Sequence, residues 1–460
     1  MRGTTSARRY RPQAPVAGAT LLSIAVLVTV LSTGGPSVGI ARTATSPTTL
    51  TTQAPPNILL IMADDMGYET LSVNGGSSYR TPNLDALAAT GMRFTQAHAT
   101  PLCTPSRVQL MTGKYNFRNY IGFGLLDPGE RTFAHLLQAA GYRTGVFGKW
   151  QLWGNAQQRR LAGGRGGSLP RQAGFDEYAL WQVTELGSRY KDPRLEVSGV
   201  PPATYERSYG PDEVVQNIER FMETDDERPF LAYYPMILPH SPFHPTPDDA
   251  DYAGSATGAA SDPAYFGSYV SYVDKLVGRL VETIDRLGLQ DNTLVVFIGD
   301  NGTHRRVTSM LGEREIRGNK GYTTAAGTHV PMIAAWPGTI SPGQVNGNLI
   351  DLTDFLPTLI EAAGAEIPDG FVADGLSFYP QLIGADAATR EWIFCHYAPN
   401  WNNLPHRRFV YDRDWKLYDD GAFYRIVDDP NEEHPVIDGE LSADGVETKR
   451  RFEAVLERLR

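Results

Sequence analysis

The chain has 460 residues, 41% of them hydrophobic and 20% charged, which is the composition of a globular protein with material for one large core and a smaller one, not of a fibrous or disordered chain. Its formal net charge of −10 excludes a general nucleic-acid binder, which needs a basic face, but leaves room for a local basic pocket. With only two cysteines, Cys103 and Cys395, a disulfide framework is excluded as well.

Residues 1–44 read as a signal peptide: Arg8, Arg9 and Arg11 precede an apolar run from Ala17 to Leu31, and small residues follow through Ala41 and Ala44. That run is shorter than the ~20 residues of a membrane span, so an uncleaved anchor is the lesser reading and no stable membrane insertion is expected after removal. The Arg8-Arg9 pair leaves Sec and twin-arginine export both open. Residues 45–56 form a Thr/Pro-rich linker. Next comes NILLIM (57–62), a strand apolar enough to be buried on both faces, closed by Asp64-Asp65.

The alternation continues. Helices are predicted from Thr81-Pro82 to Gly91, from Thr132 to Ala140, from Asp212 to Thr224 and from Tyr265 to Leu287. Strands are predicted over 143–147, 229–235 and 293–298, followed respectively by Lys149, by His240 and by Asp300-Asn301. Helices alternating with apolar strands give an α/β fold, a mainly parallel sheet covered on both faces, over residues 57–388. From 389 to 460 the texture changes to short aromatic runs (WIFCHY, RRFVY, WKLY) and a charged terminal helix. This reads as a small antiparallel sheet with a helix. Within the α/β portion, after Lys149, QQRRLAGGRGGSLPR (157–171) reads as a mobile basic loop at a pocket mouth.

In open α/β sheets ligands bind beyond the carboxyl ends of the strands, and Asp64, Asp65, Lys149, His240, Asp300 and Asn301 all fall there. Three carboxylates and an amide oxygen on one edge suit a hard cation such as Ca2+ or Mg2+. Cys103, in LCTPSRV, precedes a helix predicted from about Pro105 to Met111. Free N–H groups there favour an anion and would make an unmodified thiol an activated thiolate.

Cys103-Thr104-Pro105-Ser106-Arg107 matches the Cys-x-Pro-x-Arg signature of the type I sulfatases, in the alkaline phosphatase superfamily. The resemblance extends from Pro56 to about Pro430 through PNILLIMADDMGY, TPNLDALAATGMRFTQAHA, LMTGKY, TGVFGKW, FIGDNGTH and THVPMIAAWPG. It implies an alkaline phosphatase-like fold and hydrolysis of a sulfate ester in a sulfated small molecule or carbohydrate. It also implies that a formylglycine-generating enzyme converts Cys103 to formylglycine. Asp64, Asp65, Asp300, Asn301 and the modified Cys103 match the Ca2+ ligands, and Arg107 matches the residue supporting the formylglycine hydrate. Lys149, His240 and Lys320 match side chains that bind the sulfate oxygens or the leaving oxygen.

Two positions depart from the pattern. Gln151 stands where a histidine is usual, and Ala325-Ala326-Gly327-Thr328-His329 replaces Glu-Gly-Gly-x-Arg. An amide cannot accept a proton near neutrality, so Gln151 can only position a hydroxyl. His304, His329 or a water is then left as the base, with His304 the first choice. A phosphate or phosphonate ester hydrolase of the same superfamily and a catalytically silent binder of sulfated glycans are the alternative readings. Trp150, Trp153, Trp181 and Trp401 are candidates for stacking on a substrate ring, with core packing the default for each.

Overall fold

The computed structural model of the protein describes residues 54–256 and 258–460. The predicted signal segment and the linker up to residue 53 lie outside the described residues. The apolar runs become β1 (Asn57–Ala63), β2 (Met92–His98), β3 (Arg143–Lys149), β4 (Glu177–Trp181), β5 (Arg194–Val197), β6 (Ala203–Thr204), β7 (Phe230–Pro235), β8 (Thr293–Gly299), β9 (Thr308–Leu311), β10 (Arg314–Arg317), β11 (His329–Ala335), β12 (Gln344–Asn346) and β13 (Ile350–Asp351). The main sheet runs β12-β2-β11-β8-β1-β7-β3-β4-β5-β6, with β13 also on β2. Strands β8, β1, β7, β3 and β4 are mutually parallel, and β11 runs against its neighbours.

Every residue of β1 is buried, and the pleat sends its side chains alternately to two cores. Ile58, Leu60 and Met62 face a core shared with Leu136 and Leu137 of the Phe133–Ala139 helix and with Leu356 and Leu359 of the Phe355–Ala362 helix. Leu59 and Ile61 face Val214 and Ile218 of the Gly210–Met222 helix and Val273 and Val277 of the Phe266–Arg286 helix. The parallel sheet is therefore covered on both sides, as the alternation of elements predicts.

Four further strands, β14 (Ile393–Tyr397), β15 (Arg407–Tyr411), β16 (Trp415–Tyr418) and β17 (Phe423–Arg425), form the expected small antiparallel sheet. One of its faces packs Phe394, Val410 and Leu417 against Phe452, Val455 and Leu456 of the terminal Ala443–Arg458 helix. The other face joins Cys395, Tyr397 and Phe409 to Leu102, Cys103 and Phe123, so this sheet borders the Cys103 segment directly.

Residues 157–171 differ from the expected basic loop. Asn155 caps a short helix, Ala156–Leu161, through a reciprocal pair with Gln158. Buried Ser168 accepts from the Trp150 indole at 2.8 Å and donates to the Leu126 carbonyl at 3.0 Å. Arg159 lies over the Trp153 ring at 4.3 Å. The segment lacks an apolar period because capping groups and close backbone approach hold it instead of apolar packing. A Cβ on Gly167 would sit 1.9 Å from the Leu152 carbonyl oxygen.

Close approach also brings β3 beside β7. Gly148 has φ +118°, and a Cβ there would lie 2.1 Å from the Pro235 carbonyl oxygen. Gly148→Ala should therefore cost about 2 kcal/mol or more, because it adds backbone strain to a collision with main chain that cannot turn aside. Thermal unfolding should show a clearly lowered Tm, whereas Gly288→Ala, where φ is also positive but no atom is within 4 Å, should cost less.

Candidate active site

The register of two neighbouring parallel strands builds the centre of the site. Ala63 pairs with Gly299, so the residues that follow, Asp64-Asp65 and Asp300-Asn301, emerge side by side. The Asp65 amide donates to Asp300 Oδ1 at 2.9 Å, the Asp300 amide donates to the Ala63 carbonyl at 2.9 Å, and Asn301 Nδ2 donates to Asp65 Oδ1 at 3.0 Å. All four residues are buried. Asp64 Oδ1, Asp65 Oδ2 and Asn301 Oδ1 have no hydrogen-bond partner.

Cys103 is 1% exposed and begins the Cys103–Thr112 helix, two residues earlier than predicted, with Leu102 as N-cap. Ligand atoms of Asp64, Cys103 and Asp300 lie within 4.8 Å of one another, as do those of Asp64, Asp65 and His240. Three unsatisfied buried oxygens converging beside a third carboxylate fit a hard cation such as Ca2+, which takes carboxylate and amide oxygens together. The thiol itself is not activated: burial pushes it above its ordinary value, and the opposing pull of Lys149 and Lys320 does not reverse this. The expected thiolate is thus corrected, because a helix N-terminus stabilises an anion less than full desolvation penalises it.

Arg107, one turn along that helix, is also buried. Its Nη2 donates to the Lys149 carbonyl at 2.7 Å and its Nη1 to the Trp150 carbonyl. The guanidinium thus ties the helix carrying Cys103 to the end of β3, which carries Lys149. These bonds make it a positioning group.

The cations come from elements distant in sequence. Lys149, the last residue of β3, donates to Asp64 Oδ2 at 2.7 Å, and Lys320 Nζ lies 2.5 Å from Asp65 Oδ1. His240 Nε2 lies 3.8 Å from Asp65 Oδ2, and Arg189 donates to its Nδ1 at 3.0 Å. Burial alone would raise Asp64, but Lys149 above all, with Lys320, outweighs it and holds the carboxyl below the usual range. Asp65 is likewise lowered against its burial, chiefly by Lys320. Asp300 is pushed the other way, by burial and then by repulsion from Asp64 and Asp65. Burial followed by Lys320 depresses His240 to about 3, so its ring is neutral.

A cavity of 620 Å³ opens onto Cys103, Gln151, His240, His304 and Lys320. Gln151 has φ +46°, and its Oε1 is buried without a partner. His304 accepts the Arg306 amide at Nδ1, 3.2 Å away, and meets Phe243 edge-on. His329 lies elsewhere: its ring stacks between Tyr68 and His98, its Nε2 donates to the Thr95 carbonyl at 3.0 Å, and it lines a separate cavity of 490 Å³ that does not include Cys103. Residues 157–171 do not line the Cys103 cavity. Its charged rim is Arg305, Arg306 and Arg317.

Trp150 and Trp181 are core residues, whereas Trp401 stacks on Phe123 at 4.7 Å and lines the cavity. Sequence reasoning missed Arg189, Phe123 and the arginine rim. Only Arg305-Arg306, directly after the Asp-Asn-Gly-Thr-His run, carried a visible signal.

The Sulfatase family model matches residues 56–365, and the model for the C-terminal region of N-sulphoglucosamine sulphohydrolase matches 319–458. Arylsulfatase A of Bos taurus is 34% identical over 389 residues, covering 76% of this chain and 72% of its own. The crystal structure of Ps i-CgsB superposes with a TM-score of 0.69 at 26% identity, over 86% of this chain and 92% of that one. The phosphonate monoester hydrolase of Agrobacterium radiobacter, with a TM-score of 0.66 at 22% identity over 88% of this chain and 95% of its own, shares the fold. With the Cys103 signature, the paired strand-end carboxylates and the buried lysines in one site, the chain belongs to the sulfatase family of the alkaline phosphatase superfamily and is an enzyme that hydrolyses sulfate esters.

Proposed function

We propose that hydrolysis takes place at residue 103 after a formylglycine-generating enzyme has oxidised its thiol, beside a Ca2+ held by Asp64, Asp65, Asp300, Asn301 and residue 103. The observation that carries this reading is the set of unsatisfied buried oxygens on Asp64, Asp65 and Asn301, next to a side chain at position 103 that is a poor nucleophile as a thiol. When bound, the ion supplies positive charge to the attacking hydroxyl and to the ester oxygens. Hydrated formylglycine supplies that hydroxyl and a second one, whose deprotonation releases sulfate.

The chain's own residues do the rest. Lys149, clamped through its carbonyl by Arg107, holds a fixed positive charge beside residue 103, where negative charge grows during transfer. Lys320 is raised above its ordinary value because Asp65 and the neighbouring anions outweigh its burial, so it keeps its proton until an alkoxide more basic than itself departs. That makes Lys320 the proton source for the leaving oxygen and leaves neutral His240 as a hydrogen-bond donor. Of the two candidate histidines only His304 lines this cavity, and it meets the second hydroxyl as a hydrogen-bond donor. Its Nδ1 is occupied by the Arg306 amide, which leaves the ring proton on Nε2 and favours donation over proton abstraction. The signal-like segment 1–44 supports an exported enzyme. The change of texture near 389 supports a catalytic α/β portion over 57–388 and a C-terminal subdomain over 389–460.

Three outcomes follow. Asp300→Asn should leave the calcium-free protein at least as stable as the parent, since it relieves repulsion among three buried carboxylates. Calcium should then no longer raise its Tm, and turnover should fall about a thousandfold. A full calcium-induced Tm shift in this variant would overturn the ligand assignment. Lys320→Gln should slow an alkyl sulfate about a thousandfold but 4-nitrophenyl sulfate, whose leaving group needs no proton, only about tenfold. Equal losses on both would remove Lys320 as the acid. For His304→Ala, stopped-flow with 4-nitrophenyl sulfate should show no burst of nitrophenol, because a hydrogen-bond donor contributes to transfer and release alike. A burst would restore His304 as the base for release.

A further inference from the structure

Beyond the groups that meet the scissile sulfate, the cavity over Cys103 has an uneven charge. Among the described residues its lining includes the permanent cations Arg305, Arg306, Arg317 and Lys320 and no Asp or Glu, in a chain whose formal net charge is −10. Lys320 is accounted for by its contact with Asp65 at 2.5 Å. The three arginines form no ion pair among the described residues, and neutral groups hold them in place. Arg305 Nη1 donates to the Tyr322 hydroxyl at 3.2 Å and its guanidinium lies over that ring at 4.4 Å. Arg306 Nη2 donates to Ser261 Oγ at 2.8 Å, and Arg317 Nε donates to the Arg305 carbonyl at 3.3 Å.

Chain order explains why they gather. Arg305 and Arg306 follow His304 directly, and Arg317 ends β10, three residues before Lys320, so one loop and hairpin carry the whole set to the cavity. Each guanidinium is oriented by a hydroxyl or a carbonyl and keeps further N–H donors for a ligand. Fixed, forked, unneutralised donors of this kind recognise carboxylate or sulfate oxygens.

The same cavity is walled by Phe123 and Trp401, stacked at 4.7 Å and 18°. Trp401 stands in a loop where Asn400, Asn402 and Asn403 all have positive φ, a conformation held against its local cost that presents the indole at the cavity. An aromatic wall takes the flat face of a ring, and the arginines take what the ring carries.

We propose that the preferred substrate of this sulfatase is a ring compound whose leaving group bears a second anionic group, a carboxylate or another sulfate, bound by Arg305, Arg306 and Arg317. This rests on the sulfatase reading of the site and adds the chemistry of the leaving group. The second anion is not cleaved. It raises affinity and sets which ester reaches residue 103.

The test uses two matched pairs on the mature, calcium-loaded enzyme: 3-carboxy-4-nitrophenyl sulfate against its methyl ester, and glucosamine N,6-disulfate against N-acetylglucosamine 6-sulfate, whose amide is neutral. Exposed charge contacts each change affinity by a few-fold, so three together should favour the doubly anionic member of at least one pair by about tenfold in kcat/KM, mainly through KM. Arg305→Gln/Arg306→Gln and Arg317→Gln should each erode that preference while changing kcat/KM for the singly anionic member less than about twofold, and 0.5 M salt should erode it too. Which pair shows the preference tells an aryl from a sugar leaving group. Equal kcat/KM within each pair for the parent enzyme overturns the inference and leaves the sulfatase reading standing, as does an equal loss on both members in the arginine variants. Turnover of none of the four overturns both.

Discussion

Three carboxylates are forced together at the end of two hydrogen-bonded parallel strands, and much of the molecule is arranged around the consequences. The Ala63 to Gly299 register brings Asp64 and Asp300 side by side, and the bond from the Asp65 amide to Asp300 Oδ1 leaves neither strand free to slip. Shifting the register by one residue would move every apolar side chain of β1 into the wrong core, so hydrophobic packing holds the acids in contact despite their repulsion. Burial of like charges is unfavourable unless opposite charges or an ion reach them. Their compensation has to come from other elements, and those elements then become the site.

Lys149 reaches Asp64 from β3, on the far side of β7. That reach depends on the close approach permitted at Gly148 and on Arg107, which fastens the strand end to the Cys103 helix. Lys320 reaches Asp65 from a loop that the C-terminal sheet holds in position. The Gly321 amide donates to the Pro101 carbonyl at 2.7 Å, and Tyr397 of β14 donates to the Gly321 carbonyl at 2.9 Å. Buried Lys416 of β16 bonds the Thr323 carbonyl and pairs with Glu432 at 2.7 Å. The small sheet thus sets the position of a cation at the centre while supplying the preceding Trp401 loop to the cavity wall. Chemistry and substrate selection share a support.

Such features explain which parts were legible in the sequence. Runs such as NILLIM and TLVVFI announce strands buried on both faces, and the polar pairs that end them announce the site, because both signals are local. The Cys103 signature is local as well, although the helix begins two residues earlier than Pro105 suggests. What escaped depends on pairing across long separations. Arg189 bonds His240 across 51 residues, and Phe123 finds Trp401 across the whole fold. The basic stretch at 157–171 misled because glycines and arginines without an apolar period look like a free loop, yet here the glycine permits backbone contact and Asn155 with Gln158 closes a cap. The thiol misled for a related reason: the helix end is visible in sequence, but the depth of burial that overrides it is not.

Charge balance at the centre bears on the substrate the fold serves. With His240 neutral and Asp300 pushed toward its neutral form by burial and by Asp64 and Asp65, the two ionised acids offset Lys149 and Lys320. A divalent cation among those oxygens would draw Asp300 into its ionised form and leave the site net positive, suited to an anionic ester. A net positive site of this kind balances a singly charged sulfate or phosphonate monoester alike. Electrostatics at the centre therefore sets the charge of the scissile group and not the element at its heart. Selection among singly charged esters has to be made farther out, by groups that meet the leaving group, and there the chain places a stacked aromatic wall and three arginines without an ion pair among the described residues.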